Sequence, residues 1–345
     1  MKPRAIRKNA TPAALIGRVL CHDVRDADRK VAAPKGALID EALARTLLAL
    51  PWEELHVIEV EAGDMPEEPA GKRLAAAVVG EGVEVKAYSE GKWSLIASRR
   101  GLFRVRTDRL RGVNALDGIS VYTLYDGLPV EAGEVVARCK ITPLVIAGST
   151  IETIERLAAE AKGLLTVDAF QSLTIGAVAR EGLDEKQRAR FEKSLQAKIA
   201  WFGARLLPVR YAGPTVEEVA RELEGLRADG AETLIVAGAS ALDPLDPVFG
   251  ALVRVGARME RHGAPAHPGS LLWIATWHGH VVVGMPSCGM FSEATTFDLV
   301  LPRVLAGERV GNHELAGLGH GGLLSRDSAY RFPAYRANVR RGELE

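Results

Sequence analysis

The chain has 345 residues, 47% of them hydrophobic and 26% charged, with 44 basic side chains against 44 acidic ones. This length exceeds one ordinary core and points to two or three domains, the composition is that of a folded globular protein, and the balanced charge supplies no basic excess for nucleic acid. Cys21, Cys139 and Cys288 lie far apart without C-x-x-C spacing, which argues against a disulfide framework or a structural zinc site and suits a reducing compartment.

The opening, MKPRAIRKNATPAALIG, is basic but lacks the apolar stretch of a secretory signal. No run approaches the roughly 18 apolar residues of a membrane span, so no membrane is expected and the expected compartment is the cytoplasm. Short β-type runs come next: GRVLCHDV, HVIEVEA, VEVKAYS, LFRVRT and ISVYTL, separated by Gly, Asp and Asn. PKGALIDEALARTLLAL and MPEEPAGKRLAAAVV interrupt them with helical periodicity, and LPVEAGEVVARCKI reads as a hairpin or a small barrel element. Residues 1–165 are therefore expected to form a β-rich α+β region of one or two subdomains.

From Leu173 strands and helices alternate. LTIGAVA reads as a strand, and DEKQRARFEKSLQAKIAWFG as a helix with Phe191, Leu195, Ile199 and Phe202 on one face, ended by Gly203. ARLLPVRYA is a second strand, and TVEEVARELEGLRADG a helix with a Thr215…Glu218 capping box. ETLIVAG is the third strand and DPVFGALVRVGARM the next helix. LLWIATWHGHVVVGMP is a hairpin about His278-Gly279, and SEATTFDLVLPRVLAG is a last helix. This alternation predicts an α/β domain over 166–310, a three-layer α/β/α parallel-type sheet, followed by a C-terminal tail over 311–345 with GHGG at its start. Ligands of such sheets lie beyond the carboxyl ends of the strands, which directs attention to the loops after Ala179, Ala237 and Gly284.

The loop after Ala237 is GASALDPLDPV. Gly238, Ala239 and Ser240 let a bulky anion approach the backbone, while Asp246 and Pro247 make an N-cap and N1 pair at a helix start. The helix N-terminus behind them offers a seat for phosphate, and Asp243 and Asp246 carry oxygens suited to Mg²⁺. For Asp243 alone the turn reading is the better one. After Ala179, Arg180 and Glu181 are either ligand-holding or a solvated pair. GMPSCGMFSEAT places Ser287, Cys288 and Gly289 before a helix. Either Ser287 or Cys288 is conceivable as a hydrolase nucleophile, although the spacing is not G-x-S-x-G. His278 and His280 have a metal-like spacing without a third ligand, and Arg99 to Arg111 are either an anion-steering patch or a solvated face.

Taken together, these loops resemble the molybdopterin-binding domain family, which includes the molybdopterin adenylyltransferases and molybdotransferases. GASALDPLDPV is similar to their G-G-T-G-x-x-x-x-D-x-T loop, with Gly238, Ser240 and Asp246 on the matching positions and Ala239 replacing the second glycine. AVAREG resembles a T-G-x-E turn ending at Glu181, Glu232 falls where these proteins carry an aspartate ahead of the strand, and His267-Pro268-Gly269-Ser270 resembles P-G-K-P with Ser270 in place of the lysine. Pro286-Ser287-Cys288-Gly289 replaces P-G-N-P. The resemblance implies a role in molybdenum cofactor biosynthesis, with Glu181 and Asp246 as catalytic and Mg²⁺- or molybdate-binding residues. It further implies that Glu232, Gly238, Ala239, Ser240, Ser270, Pro286, Ser287, Cys288 and Gly289 contact molybdopterin or its adenylylated form. A homodimer is implied as well, partnered with a molybdoenzyme or another cofactor-biosynthesis protein. The activity implied is molybdate insertion into adenylylated molybdopterin; the substituted site positions imply as the alternative a non-catalytic sensor or carrier.

Overall fold

A computed structural model of the chain describes residues 2–180, 182–292 and 294–335, with only the backbone of Arg326. Two compact units emerge, one of residues 1–99, 103–126 and 132–167, the other of residues 100–102, 127–131 and 168–345.

In the first unit, short strands and helices form separate small cores. Strands Lys2–Arg7, Glu54–Glu59 and Arg18–Leu20 pair antiparallel with Glu54–Glu59 in the middle. Helix Glu41–Ala49, capped by the Asp40 carboxylate on the Leu43 N–H, joins Leu20, Leu55 and Val57 in one core through Ala44 and Leu47. A second antiparallel sheet runs in the order Ile119–Thr123, Val135–Ile141, Lys92–Ala97, Val83–Ser89. Helix Glu67–Val78 is tied to helix Gly148–Ala159 by a two-armed Arg73–Glu155 pair at 2.8 and 2.7 Å. The expected hairpin over LPVEAGEVVARCKI does not form. Val135–Ile141 joins the sheet just described, whereas Leu128–Val130 is a strand of the second unit.

The second unit is built on a mixed sheet. Its order is Arg205–Leu206, Thr174–Ala179, Thr233–Ala237, His280–Met285, Trp273–Trp277, Arg258–His262, with Arg210–Tyr211 also beside Thr174–Ala179. Pairing is parallel from Arg205 to Met285 and antiparallel beyond. The strand expected over ARLLPVRYA is split in two because Pro208 has no N–H for the ladder. The helix expected over DPVFGALVRVGARM stops at Arg254: Gly256 turns left-handed (φ 77°) and the Ala257 N–H returns to the Leu252 carbonyl, so Arg258 starts an edge strand instead.

Alternation along the strands divides the apolar side chains between two faces. Ile175, Ala177, Ile235, Ala237, Val283 and Met285 pack with Phe191, Leu195 and Ile199 of helix Glu185–Trp201 and with Phe297 and Leu301 of helix Thr296–Leu305. Val178, Leu234, Val236 and Val282 pack with Leu223 of helix Val216–Ala228 and Val248 and Leu252 of helix Pro247–Arg254. The stretch expected as a tail also belongs to this unit as far as Tyr335. Leu315, Leu324, Phe332 and Tyr335 are buried in the first of these cores, and Gly322 is bonded through its carbonyl to the His267 N–H.

Gly284 marks the tightest packing in the sheet. It pairs with Trp273, and a Cβ built on it would lie 2.0 Å from the buried indole. The substitution Gly284→Ala is expected to cost about 2 kcal/mol through overpacking, measured as a lowered urea midpoint with an unchanged m-value; an unaltered midpoint would contradict this packing.

Candidate functional site

Register decides where the loops emerge. Ala179 pairs with Ala237, and Ala237 with Met285, so three parallel strands end level with one another. At about 4.8 Å between neighbouring strands, the residues next in the chain (Arg180, Gly238 and Pro286) leave the sheet within about 10 Å of each other. The antiparallel pairing Trp273↔Gly284 brings the His267–Ser270 turn to the same edge. That turn is docked on helix Thr296–Leu305: the Thr296 N–H donates to the Pro268 carbonyl at 2.9 Å and its hydroxyl to the Ala266 carbonyl at 2.9 Å.

Glu232 is elsewhere. Its carboxylate accepts from the Thr174 N–H at 2.8 Å, and its carbonyl meets the His280 Nδ1 at 2.7 Å, so it closes the amino ends of the same strands. It is one five-residue strand, or about 17 Å, from the loops, and cannot share a ligand with Gly238. The resemblance therefore misassigns this residue. Among the described residues no third His, Cys, Asp or Glu is gathered with His278 and His280 as a metal site.

Gly238 turns left-handed (φ 82°), as the close approach of this loop requires. Asp243 is a turn residue: its Oδ1 accepts from the Leu245 N–H at 2.9 Å. Asp246 is the N-cap of helix Pro247–Arg254, as the sequence predicts, but its surroundings differ from the expectation. It is 1% exposed; Oδ1 accepts from the Val248 N–H and Oδ2 from the Ser240 N–H, each at 2.9 Å. Arg180 Nη2 lies 2.5 Å from Oδ2. The helix start is equally engaged, since Pro247 has no N–H and the Phe249 N–H returns to the Asp246 carbonyl. The free donors expected for a phosphate at this N-terminus are absent from the first three positions.

The same contacts bear on a metal. The resemblance implies Mg²⁺ or molybdate at Asp246 and Glu181. Glu181 lies outside the described residues, and the Asp246 carboxylate is buried and already holds three donors. Among the described residues no group of three or more His, Cys, Asp or Glu is gathered as metal ligands. The described side chains do not fit a metal ion, and Asp246 is corrected from an open ligand to a buried organiser of its loop.

The third loop carries a short helix, Ser287–Phe291, with Pro286 and Gly289 buried and Ser287 and Cys288 exposed. Partial burial pushes the Cys288 thiol above its ordinary value, against the backbone N–H groups of Cys288 and Gly289. An activated nucleophile needs the opposite shift, so the hydrolase reading gains no support from Cys288. Beneath this loop lies a feature that the sequence reading missed. Lys198 of helix Glu185–Trp201 is 1% exposed and its Nζ lies 2.5 Å from Asp298 and 2.8 Å from the Ser292 carbonyl. Asp298 also accepts from the Thr295 N–H and hydroxyl at 3.0 and 2.8 Å. Burial pushes its carboxyl upward, and Lys198 and Thr295 oppose that shift.

Five arginines of the arginine-rich segment are paired with carboxylates: Arg99 with Glu81, Arg100 with Glu131, Arg104 with Asp126, Arg109 with Glu160 and Arg111 with Asp108. The solvated-face reading fits it. A surface groove of about 530 Å³ runs between Ala189, Glu192 and Gln196 and the Leu206–Val209 edge segment. Among the described residues no helix is long and apolar enough to cross a membrane.

Comparisons with known proteins give matches of low similarity only. No protein-family model and no curated protein sequence matches it. Among solved structures, it is similar to the molybdopterin biosynthesis moea protein from Pyrococcus horikosii at 13% identity and a TM-score of 0.32, over 70% of this chain and 79% of that one. A molybdenum cofactor biosynthesis protein from Pyrococcus furiosus is similar at 10% identity and TM-score 0.26, over 89% of this chain and 65% of its own. A putative molybdenum cofactor biosynthesis protein from Corynebacterium diphtheriae is similar at 13% identity and TM-score 0.28, over 38% and 91%. A likeness at TM-scores this low carries no argument about the site.

Two outcomes are expected of the site. Native protein treated with a thiol reagent at pH 8 is expected to label Cys288 fastest, whereas Cys139, buried and pushed up to about 12, reacts only on unfolding; peptide mapping of the labelled sites checks the order. Lys198→Met strands a buried carboxylate and is expected to cost about 3 kcal/mol, and adding Asp298→Asn should recover part of it in denaturant melts.

Proposed function

We propose that the second unit binds molybdopterin, or its adenylylated form, within molybdenum cofactor biosynthesis, and serves as a non-catalytic carrier or sensor rather than as a molybdate insertase. One observation carries the binding half of this reading. The segments that resemble the molybdopterin-binding family, AVAREG, GASALDPLDPV and PSCG, leave strands whose last residues are paired in register, and the HPGS turn joins them at that edge. Four separate stretches of sequence resembling one family thus converge, which a chance likeness in a single loop would not explain. The three-layer α/β/α arrangement belongs to this reading, with helices contributed to both faces of the sheet.

The carrier half rests on Asp246. The resemblance makes Asp246 a metal- or molybdate-binding carboxylate for insertion, and here Arg180, Ser240 and Val248 hold it. Ser270, exposed in its turn, adds no charge where the resemblance expects a lysine. A site that keeps its backbone frame, turns Asp246 inward to its own loop and carries Ser270 in place of a lysine is suited to holding a ligand and passing it on.

Incubating the purified full-length chain with molybdopterin, Mg-ATP and molybdate separates the readings. Retention of one pterin per chain, with neither adenylate formed nor molybdate incorporated, is the expected result. Binding with turnover would restore the insertase reading, and no retention of either pterin form would remove both.

A further inference from the structure

The second unit carries one cation whose role the resemblance does not supply. Arg180 is the first residue beyond the strand Thr174–Ala179, and its N–H donates to the Ala237 carbonyl at 3.1 Å, which extends the pairing of the two central strands by one step. Its side chain is 21% exposed and reaches across the next loop to Asp246. Contact is made through Nη2 to a single carboxylate oxygen, because the other oxygen of Asp246 is held by the Val248 N–H. The guanidinium is thus oriented by an anchor that is itself fixed from three sides, yet it is not used up in a two-armed pair.

Its Nε–H is buried and has no acceptor among the described residues. A buried donor left unpaired costs on the order of 1–3 kcal/mol, a cost that a bound water, ion or ligand atom relieves. Arginine presents its N–H groups in a planar fork that matches the oxygens of phosphate or carboxylate. The nearest helix start has its first donors engaged, so the guanidinium, rather than a helix dipole, is the positive group available to an anion at this edge.

We propose that Arg180 is an anion-binding residue of the three-loop edge. Asp246 pre-orients the guanidinium, and its exposed N–H groups not engaged by Asp246 receive an oxyanion, of which a phosphate ester is the class that best fits the fork. The assignment rests on the molybdopterin-binding reading and deepens it by naming the group that recognises the ligand's phosphate. Asp246 sets the selectivity as well, since its own charge weakens the hold on a small free anion and favours a ligand with further contacts.

Calorimetric titration of the full chain with inorganic pyrophosphate, and separately with molybdopterin, tests the assignment. Wild type is expected to bind pyrophosphate, Arg180→Met to lose about tenfold or more in affinity, and Arg180→Lys to recover only part of it. Because Arg180→Met leaves Asp246 buried without its partner, Arg180→Met with Asp246→Asn is titrated beside it and must show the same loss with a native circular dichroism spectrum. Asp246→Asn alone keeps the cap and removes the competing charge, and is expected to tighten pyrophosphate binding. Equal affinity of wild type and the double variant, or no pyrophosphate binding by wild type, overturns the role of Arg180. Pyrophosphate binding through Arg180 together with failure of molybdopterin to bind supports the anion site and overturns the pterin reading instead.

Discussion

The parallel pairing of Thr174–Ala179, Thr233–Ala237 and His280–Met285 is the constraint on which the second unit depends. Side chains along these strands alternate between two apolar faces, and a slip of one residue would send each of them to the wrong core. Ile235 packs with the helix Glu185–Trp201 face and Val236 with the opposite one, so the register is fixed by burial on both sides. The level strand ends, and the convergence of three loops, result from that register rather than from any contact between the loops.

Charge is then used to hold the loops in place. Two buried carboxylates act alike at neighbouring positions. Asp246 ties the Ser240 segment, the helix at Pro247 and Arg180 into one frame. Asp298 ties Thr295 to Lys198, and Lys198 in turn holds the Ser292 carbonyl at the end of the Cys288 loop. Breaking either pair leaves a buried charge, which is far more costly than losing an exposed bridge, so each loop is anchored at its buried carboxylate. The difference lies in exposure. Lys198 is sealed and wholly structural, whereas Arg180 is partly open and has a donor to spare.

Much of this unit is legible in the sequence because its signals are local. The Thr215–Glu218 capping box, the Asp246-Pro247 helix start, the hairpin about His278-Gly279 and the apolar stripe of Phe191, Leu195, Ile199 and Phe202 all lie where periodicity and cap chemistry put them. Partners distant in sequence are not legible. Arg180 and Asp246 are 66 residues apart, and nothing in AVAREG shows that the arginine turns toward the next loop rather than to solvent. Lys198 did leave a trace: it falls on the buried face between Leu195 and Phe202, where a lysine requires a partner, and Thr295…Asp298 has capping-box spacing. Glu232 is the opposite lesson. Its place ahead of a strand is a sequence fact, but a parallel sheet has two ends, and a residue ahead of the strand stands at the end away from the ligand. The first unit is less legible because its pairings join distant segments, as the fate of LPVEAGEVVARCKI illustrates.

A single ligand spanning the loops at the level strand ends would order all three of them at once. Hydrogen exchange of the full chain, followed peptide by peptide with and without molybdopterin, reads that ordering loop by loop. Slowed exchange is expected together in residues 180–184, 238–249 and 286–292, with no change at Glu232–Thr233 or in His278–His280 at the opposite end of the sheet. Protection confined to a single loop, or located at the Glu232 end, would contradict a shared ligand.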